Sequence, residues 1–288
     1  MPAQILDGSA TARQIREEIK AEVEQFTSRT GVTPHLAVVI VGEDPASVTY
    51  VNMKKKACLA AGMLSTVHEL PESSTQEQVT DIIEQLNADP GVHGIMVQHP
   101  VPGHLDELEI LATVAREKDV DGISRDSLGS LVTGAPLFIA ATPAGIIELL
   151  DRYDIPIEGA RAVIVGRSII LGKPVALYLL NRHATITVCH TRTRDLPAVT
   201  READILIAAA GKAEMITGDM IKEGVVIIDA GYNKVEGRER DVGDVHFESA
   251  AEKASWITPV PGGVGPMTIA MLLKNTLKAA RRAAGVME

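Results

Sequence analysis

Large apolar residues recur with helical spacing in the first thirty residues of the chain. Four of them lie four, four and three residues apart, which is the repeat of one helix face. They are Ile15, Ile19, Val23 and Phe26. The stripe starts after Asp7 and stops before Gly31, and glycine is a common residue at a helix end. The pattern predicts an amphipathic helix that ends at Gly31.

The chain then alternates short apolar runs with helical segments. Buried strands are predicted at 35–41, 63–69 and 92–98. Helices are predicted from the loop "GEDPAS" to Gly62, and from Thr75 to Leu86. Strands that alternate with helices pair in parallel through right-handed crossovers, so this half of the chain is predicted to be an α/β unit.

A second alternating series starts at Thr142 and Pro143, which are predicted to begin a helix. Its strands are predicted at 161–166, 185–189, 203–210 and 224–231, and its internal helix at 172–181. An amphipathic helix from about Met267 to Arg282 ends the chain. A boundary between two α/β units is therefore expected near residues 140–145.

Composition excludes several classes of protein. The net charge of −10 argues against nonspecific nucleic-acid binding, which needs a basic surface. Cys58 and Cys189 lie far apart without a CxxC motif, so a disulfide framework is not expected and a cytoplasmic location is the default. No apolar run reaches the roughly 20 residues of a membrane span. The N-terminus lacks the pattern of a signal peptide.

The stretch "VIVGRSIILGKP" places Gly166 after a predicted strand and Gly172 at a predicted helix start. A dinucleotide pyrophosphate binds at such a turn, where backbone N–H groups meet the helix N-terminus. The stretch is not GxGxxG, and it misses a P-loop because five residues separate the glycines and Pro174 replaces the Ser or Thr. A simple tight turn is the alternative interpretation.

The end of the next strand bears on the choice of dinucleotide. An NAD site of this type expects an acidic residue there to bind the ribose 2′-hydroxyl. The chain instead has Thr191, Arg192 and Arg194, with Arg167 in the glycine turn itself. Cationic and hydroxyl groups suit a 2′-phosphate, so NADP is favoured over NAD, although Asp195 weakens the argument and the arginines alone would also suit a solvated turn.

Further polar stretches fall in predicted loops. "VQHPVP" puts Gln98 at the carboxyl end of a strand, where α/β proteins bind ligands. "EKDVDG" supplies two carboxylates, and "TPVPGGVGPMT" has three prolines and three glycines before a helix. Each stretch alone is equally typical of a turn, a cap or a rigid linker. The histidines lack metal-ligand spacing, so no metal site is predicted.

The stretch "TYVNMKKK" raises the question of whether one of its lysines has a chemical role. Tyr50 and Lys54 are four residues apart and would share a helix face, with Ala57 and Ala61 on the same side. Small residues beside this pair leave room for a flat ligand. Lys56 turns away from Lys54 and is predicted to be a solvated surface charge.

In combination these motifs resemble the bifunctional methylenetetrahydrofolate dehydrogenase/methenyltetrahydrofolate cyclohydrolase family. Tyr50-x-x-x-Lys54, "VQHPVP", "DVDG", "GRS…GKP" and "PGGVGPMT" occur in the family's order over about residues 5–282. The resemblance implies two α/β domains with a cleft between them and a C-terminal helix that returns to the first. The implied limits are 1–141 with 267–288 for the catalytic folate-binding domain, and 142–266 for a Rossmann-like NADP-binding domain.

The implied activity is oxidation of 5,10-methylenetetrahydrofolate by NADP, followed by hydrolysis of the methenyl product to 10-formyltetrahydrofolate. This is one-carbon metabolism that feeds purine biosynthesis, and the family resemblance also implies a homodimer. A monofunctional dehydrogenase and a non-catalytic folate or nucleotide binder are the alternatives. Retention of Lys54, Gln98 and Asp121 argues against both.

The resemblance also assigns roles to residues. Lys54 is the expected general acid/base of the cyclohydrolase, Gln98 its hydrogen-bond partner, Tyr50 the stacking residue for the aminobenzoyl ring, and Asp121 the pterin anchor. The folate pocket is expected to include Pro100, Pro261, Gly262 and Gly263. The NADP contacts are expected to be Gly166, Arg167, Ser168, Thr191, Arg192 and Tyr232.

Three positions depart from the family pattern. His99 stands where leucine is usual, and it either perturbs Lys54 or packs without effect. Thr191 replaces a common serine and keeps the hydroxyl. Tyr232 replaces a common isoleucine, so packing near the cofactor is expected to differ. None of the three removes a catalytic group.

Overall fold

A computed structural model describes residues 2–238 and 240–286. The chain divides into two compact units, each built around one parallel sheet. The three-stranded unit comprises Gln14–Ala141 and the chain from Ile269 onward. The six-stranded unit comprises the chain up to Arg13 and Thr142–Thr268.

The first half of the chain contains four strands and most of the helices of the three-stranded unit. In chain order these elements are β1 (Gln4–Ile5), α1 (Gly8–Thr30), β2 (His35–Val41), α2 (Pro45–Ala60), β3 (Leu64–Leu70), α3 (Gln76–Ala88), β4 (Gly94–Val97), α4 (Glu107–Thr113) and α5 (Arg125–Val132).

The second half continues with α6 (Ala141–Arg152), β5 (Arg161–Val165), α7 (Gly172–Asn181), β6 (Thr185–Cys189), α8 (Leu196–Thr200), β7 (Ile205–Ala208), a 3₁₀ turn (Gly218–Met220), β8 (Val226–Asp229), α9 (Phe247–Ala251), β9 (Trp256–Ile257) and α10 (Val264–Ala283). Residues of α10 from Ile269 onward belong to the three-stranded unit.

The three-stranded sheet has the order β3-β2-β4, with both pairs parallel. The central strand β2 is apolar after His35, and its next six residues are buried. All four residues of the predicted α1 stripe are buried as well, and burial of each such side chain stabilises the fold by about 1.5–3 kcal/mol. The hydrophobic periodicity therefore identified the core-facing side of α1 correctly.

The six-stranded sheet has the order β1-β9-β8-β7-β5-β6 and is parallel throughout. Its interior strands β5, β7 and β8 are predominantly buried, as the apolar runs predicted. The two-residue strands β1 and β9 were not predicted, because so short a segment has no measurable alternation. Strand β1 and the residues up to Arg13 make most of their contacts with this unit and therefore belong to it. The predicted limits of 1–141 with 267–288, and of 142–266, are close to this division but remain a prediction.

The predicted element boundaries agree with the structure to within a few residues. Helix α6 begins at Ala141, one residue before the expected Thr142. The short helices α4, α5, α8 and α9 were not predicted, since five to eight residues span too few turns to show a stripe. Within the described residues, no helix combines the length and the hydropathy that a membrane crossing requires.

Candidate active site

Helix α2 positions the three consecutive lysines. Its start is stabilised by the side chain of Asp44, which accepts a hydrogen bond from the backbone N–H of Ser47 at 2.8 Å. Of the three lysines, only Lys54 is partly buried, whereas Lys55 and Lys56 are exposed. This difference agrees with the prediction from helical spacing that Lys56 is a surface charge.

Lys54 donates a hydrogen bond from Nζ to Oε1 of Gln98 at 2.9 Å. Gln98 is buried at the carboxyl end of β4, and its backbone N–H donates to the carbonyl of Val39 at 2.8 Å. The side-chain Nε2 of Gln98 donates to the carbonyl of His99 at 2.6 Å. Both ends of the amide are therefore engaged, and its oxygen is held toward the lysine.

Burial lowers the pKa of Lys54, and the nearby carboxylate of Asp121 opposes that shift. Desolvation disfavours the charged ammonium because water solvates it better than protein does. A lysine with a lowered pKa holds a larger fraction of neutral amine near neutral pH. Such an amine can accept and return a proton during a reaction.

The turn that carries Asp121 is organised by the neighbouring carboxylate of Asp119, which is buried. Asp119 accepts hydrogen bonds from the backbone N–H groups of Gly122 and Ser124, each at 3.1 Å, and from the hydroxyl of Ser127 at 2.5 Å. Of the two acids in "DVDG", Asp119 is thus engaged in holding the turn. Asp121 instead lies close enough to Lys54 and His99 to feel the charge of both.

Helix α10 supports this turn from within the same unit. Nδ2 of Asn275 donates to the carbonyl of Val120 at 2.8 Å and to that of Ile139 at 3.2 Å. Gly122 has a φ of 69° and lies so close to Ile139 that a Cβ there would stand 2.6 Å from the Ile139 carbonyl carbon. Sequence reasoning had no signal for Asn275, which is more than 150 residues from the turn.

Burial raises the pKa of Asp121, while the charges of Lys54 and His99 lower it and that of Asp119 raises it. The carboxylate is thus desolvated beside two potential cations. A carboxylate in this setting is an acceptor that pairs well with N–H donors of a ligand. Lys54, Gln98 and Asp121 were all predicted site residues, and the structure brings these three together.

Tyr50 lies one helical turn before Lys54 on α2, as predicted, and it is 42% exposed. Pro100, also a predicted site residue, is exposed two residues after Gln98. The exposure leaves both side chains accessible to a ligand beside the lysine. Their contacts with a folate remain a prediction.

The glycine turn after β5 is closely packed in the six-stranded unit. Gly166 has a φ of 136°, and a Cβ there would stand 2.0 Å from the carbonyl oxygen of Ala209. A Cβ on Gly172 would stand 2.4 Å from the carbonyl oxygen of Gly166. The hydroxyl of Ser168 accepts from the N–H of Gly172 at 3.3 Å and so closes the turn at the start of α7. The turn therefore requires glycine at both positions.

The predicted cofactor residues follow strands of the same sheet. Val165 and Cys189 are register partners, and the N–H of Gly166 donates to the Cys189 carbonyl at 2.9 Å. The turns after β5 and β6 therefore lie at one sheet edge. The four predicted contacts in these turns are exposed: Arg167, Ser168, Thr191 and Arg192. Tyr232 follows β8 at that edge and is 54% exposed.

The "PGGVG" segment belongs to the six-stranded unit together with the chain's first residues. The N–H and the hydroxyl of Ser9 both donate to the carbonyl of Gly262, at 2.8 and 3.2 Å. Gly262 has a φ of 110°, and a Cβ on Gly8 would overlap the carbonyl oxygen of Gly263. Backbone packing thus explains these glycines. A folate contact by Pro261, Gly262 and Gly263 remains a prediction.

One group of potential metal ligands occurs among the described residues. Glu214, His246 and Glu248 bring one ligand atom each within 4.8 Å of one another. Glu214 is engaged by Arg238 through two hydrogen bonds of 2.7 Å, and Nδ1 of His246 caps α9. The group does not coincide with any predicted site residue, and the absence of a metal site remains a prediction.

Two family models together match most of the chain. The model described as the tetrahydrofolate dehydrogenase/cyclohydrolase catalytic domain matches residues 6–121. The model described as the NAD(P)-binding domain of the same family matches residues 140–284. The bifunctional protein FolD of Moorella thermoacetica is 59% identical over 282 residues, which cover 98% of this chain and 100% of that protein.

Solved structures show the same relationship. The bifunctional FolD methylenetetrahydrofolate dehydrogenase/cyclohydrolase of Campylobacter jejuni has a TM-score of 0.95 and 47% identity, covering 97% of this chain and 99% of the other. The Trypanosoma brucei methylenetetrahydrofolate dehydrogenase-cyclohydrolase, solved with NADP and an inhibitor, has a TM-score of 0.93 and 38% identity, covering 98% of each chain.

Proposed function

Because the chain belongs to the tetrahydrofolate dehydrogenase/cyclohydrolase family, we propose that it oxidises 5,10-methylenetetrahydrofolate with NADP and then hydrolyses the methenyl product to 10-formyltetrahydrofolate. The observation that carries the proposal for this chain is the partly buried Lys54–Gln98 hydrogen bond beside Asp121. A dehydrogenase without hydrolase activity would not require a lysine held in this way.

In the hydrolytic step, Lys54 is the proton-transfer group. Its lowered pKa provides neutral amine, which takes a proton from the water that adds to the methenyl carbon. The resulting ammonium then protonates the departing ring nitrogen as the C–N bond breaks, and the hydroxyl proton of the adduct is released to water as the formyl C=O forms. Gln98 accepts a hydrogen bond from Nζ throughout this cycle and keeps the lysine in one position.

Asp121 anchors the substrate in both reactions. The pterin presents an amino group and a ring N–H side by side, and an ionised carboxylate can accept from both. Tyr50 stacks on the aminobenzoyl ring, and Pro100 of the same unit borders the folate. Holding the folate in one orientation raises the rate of both reactions, because the reacting atoms are then already in place.

The six-stranded unit fits a dinucleotide cofactor. The lack of a Cβ at Gly166 and Gly172 lets the turn fold tightly onto the start of α7, where backbone N–H groups can bind a pyrophosphate. NADP, when bound, supplies the acceptor for the hydride. Ser168 and Thr191 offer hydroxyls, Arg167 and Arg192 offer charge for the 2′-phosphate, and Tyr232 lies at the same sheet edge.

Absorbance during incubation with methylenetetrahydrofolate and NADP tests the function. We expect one molecule of reduced cofactor to form for each molecule of formyl product. The methenyl intermediate should appear and then disappear. Lasting accumulation of the methenyl compound would indicate a monofunctional dehydrogenase. Binding without turnover would indicate a non-catalytic folate or nucleotide binder, and either result would contradict the proposal.

A homodimer and a cytoplasmic location complete the proposal. Strand β6 lies at one end of the six-stranded sheet, and Val188 on it is 38% exposed. Leu180, at the end of the preceding helix α7, is 48% exposed. An apolar end strand of this kind supports pairing with a second copy of the chain.

A further inference from the structure

His99 lies between two carboxylates from different elements. Its ring Nδ1 is 3.1 Å from Oε1 of Glu107, in the first turn of α4, and its Nε2 is 4.0 Å from Oδ2 of Asp121. Both ring nitrogens are buried, and neither has an aligned hydrogen-bond partner among the described residues. Two buried ring nitrogens in this position require an explanation, since unpaired buried polar atoms are costly.

The chemistry of the ring matches the two carboxylates. A neutral imidazole donates one N–H and can serve one carboxylate, whereas a protonated ring can donate to both. Glu107 is itself held, because its Oε2 accepts from the backbone N–H of Val101 at 3.3 Å. The three side chains therefore form a series from Glu107 on α4, through His99 just after β4, to the carboxylate of Asp121.

From this geometry we propose that His99, supported by Glu107, is a positioning residue that holds Asp121 in its ionised, ligand-accepting state. The inference rests on the proposed function, in which Asp121 anchors the pterin. It explains why the carboxylate can be buried and still accept from a substrate.

The charges around Asp121 support this role. Burial raises the pKa of Asp121, Lys54 on α2 lowers it, His99 lowers it further, and Asp119 in the same turn raises it. Glu107 contacts the other ring nitrogen of His99, with its Oε1 3.1 Å from Nδ1. Without His99, Lys54 would be the one counter-charge among these groups, so Asp121 would take up a proton at a higher pH.

The test is the dissociation constant for 5-formyltetrahydrofolate, measured by calorimetry from pH 5.5 to 8.5 on the full chain. This stable folate carries the pterin amino and ring N–H groups. For His99→Leu we expect affinity near that of the parent at pH 8.5 and roughly tenfold weaker at the acid end, because without His99 the carboxylate of Asp121 takes up a proton at a higher pH. The loss must grow as pH falls, because only protonated Asp121 fails to accept.

Glu107→Gln keeps an oxygen for the Val101 N–H but removes the charge behind His99, so it should show a smaller loss with the same pH trend. His104→Leu is the matched control. His104 follows in the same loop, and its Nε2 contacts the carbonyl of Ser74 at 3.0 Å rather than either carboxylate. Its affinity should follow the parent at every pH.

A loss in His99→Leu that is equal at all pH values, or one that His104→Leu reproduces, would overturn the inference in favour of a packing role. Unchanged affinity in both His99→Leu and Glu107→Gln would overturn it as well. A parent protein that binds no folate would instead overturn the proposed function first. If His99→Leu does not fold, the pH trend of Glu107→Gln decides.

Discussion

Three consecutive lysines on α2 have different surroundings although they are chemically identical. Lys54 is desolvated and bonded to Gln98, whereas Lys55 and Lys56 remain in water. Desolvation lowers the pKa of Lys54. It depends on where the lysine lies on the helix, and not on the residue being a lysine. The catalytic proposal therefore applies to one lysine of the three.

Lys54→Met should lower cyclohydrolase kcat by at least about 100-fold, because general acid–base groups contribute about that much or more. Hydride transfer should survive in part, since it needs no protein base. The matched controls Lys55→Met and Lys56→Met should keep both activities within a few-fold of the parent. Hydrolysis and oxidation are measured separately, starting from the methenyl and methylene substrates. Loss of hydrolysis in Lys56→Met but not in Lys54→Met would contradict the assignment.

Arg167 and Arg192 allow a second prediction at the scale of single residues. If they bind the 2′-phosphate, replacing each with Ala should raise KM for NADP about 10–100-fold, since a hydrogen bond to a charged group contributes about 1.5–3 kcal/mol. KM for NAD, which lacks that phosphate, should change little. Arg201→Ala is the control, because Nε of Arg201 donates to the carbonyl of Asp219. Equal increases in KM for NADP and NAD would show that the arginines do not bind the 2′-phosphate.

At the scale of elements, the end of β8 is joined to the segment before α9 by a buried carboxylate. Asp229 accepts from the backbone N–H groups of Gly231, Asp244 and Val245 at 2.9 to 3.0 Å. A Cβ on Gly243 would overlap Oδ2 of Asp229, so glycine permits this approach. Burial nevertheless raises the pKa of Asp229 to about 6, and the three N–H donors oppose the shift.

This raised pKa predicts a pH-dependent stability. The folded state binds a proton at Asp229 near pH 6, whereas the unfolded chain binds it only near the usual value for aspartate. The contribution of Asp229 to the free energy of unfolding is therefore fully present below the unfolded pKa and is lost as pH rises through about 6. Between pH 7 and pH 5, the stability of the parent relative to Asp229→Asn should increase by about 1 kcal/mol.

Urea unfolding of the two proteins at pH 5, 6 and 7 measures this difference. Glu236→Gln, at an exposed position in the same region, is the control and should show a smaller dependence. A parent-to-Asn difference that stays constant, or that shrinks as pH falls, would show that Asp229 is not protonated in the folded state over this range.

At the scale of the whole molecule, the prediction concerns assembly. Light scattering should give twice the chain mass of 30.7 kDa. Val188→Lys puts a charge on the end strand β6, and a charged residue there opposes strand pairing, so this variant should be monomeric. Val132→Lys changes an equally apolar residue, 63% exposed on α5, and should remain dimeric. A monomeric parent would exclude the dimer, and a dimeric Val188→Lys would place the interface elsewhere.

The sequence alone determined the longer helices and strands and the reaction class. Apolar periodicity depends on neighbours within a few residues, and so the stripe of α1 and the strand at 35–41 were predicted correctly. The motifs around Lys54, Gln98 and Gly166 are also short runs of neighbouring residues, so they are visible in the sequence. Their order along the chain indicated the family. Short elements such as β1 and α4 were not predicted, because two and seven residues span too few periods for a pattern to repeat.

Only the tertiary structure decided what depends on residues distant in sequence. Strand order in each sheet, the grouping of β1 with β9, and the support of the Asp121 turn by Asn275 join segments that have no local signal in common. The same holds for the placement of His99 between Glu107 and Asp121. Burial and neighbouring charge set the pKa directions of Lys54 and Asp121, and both arise only when the chain is folded.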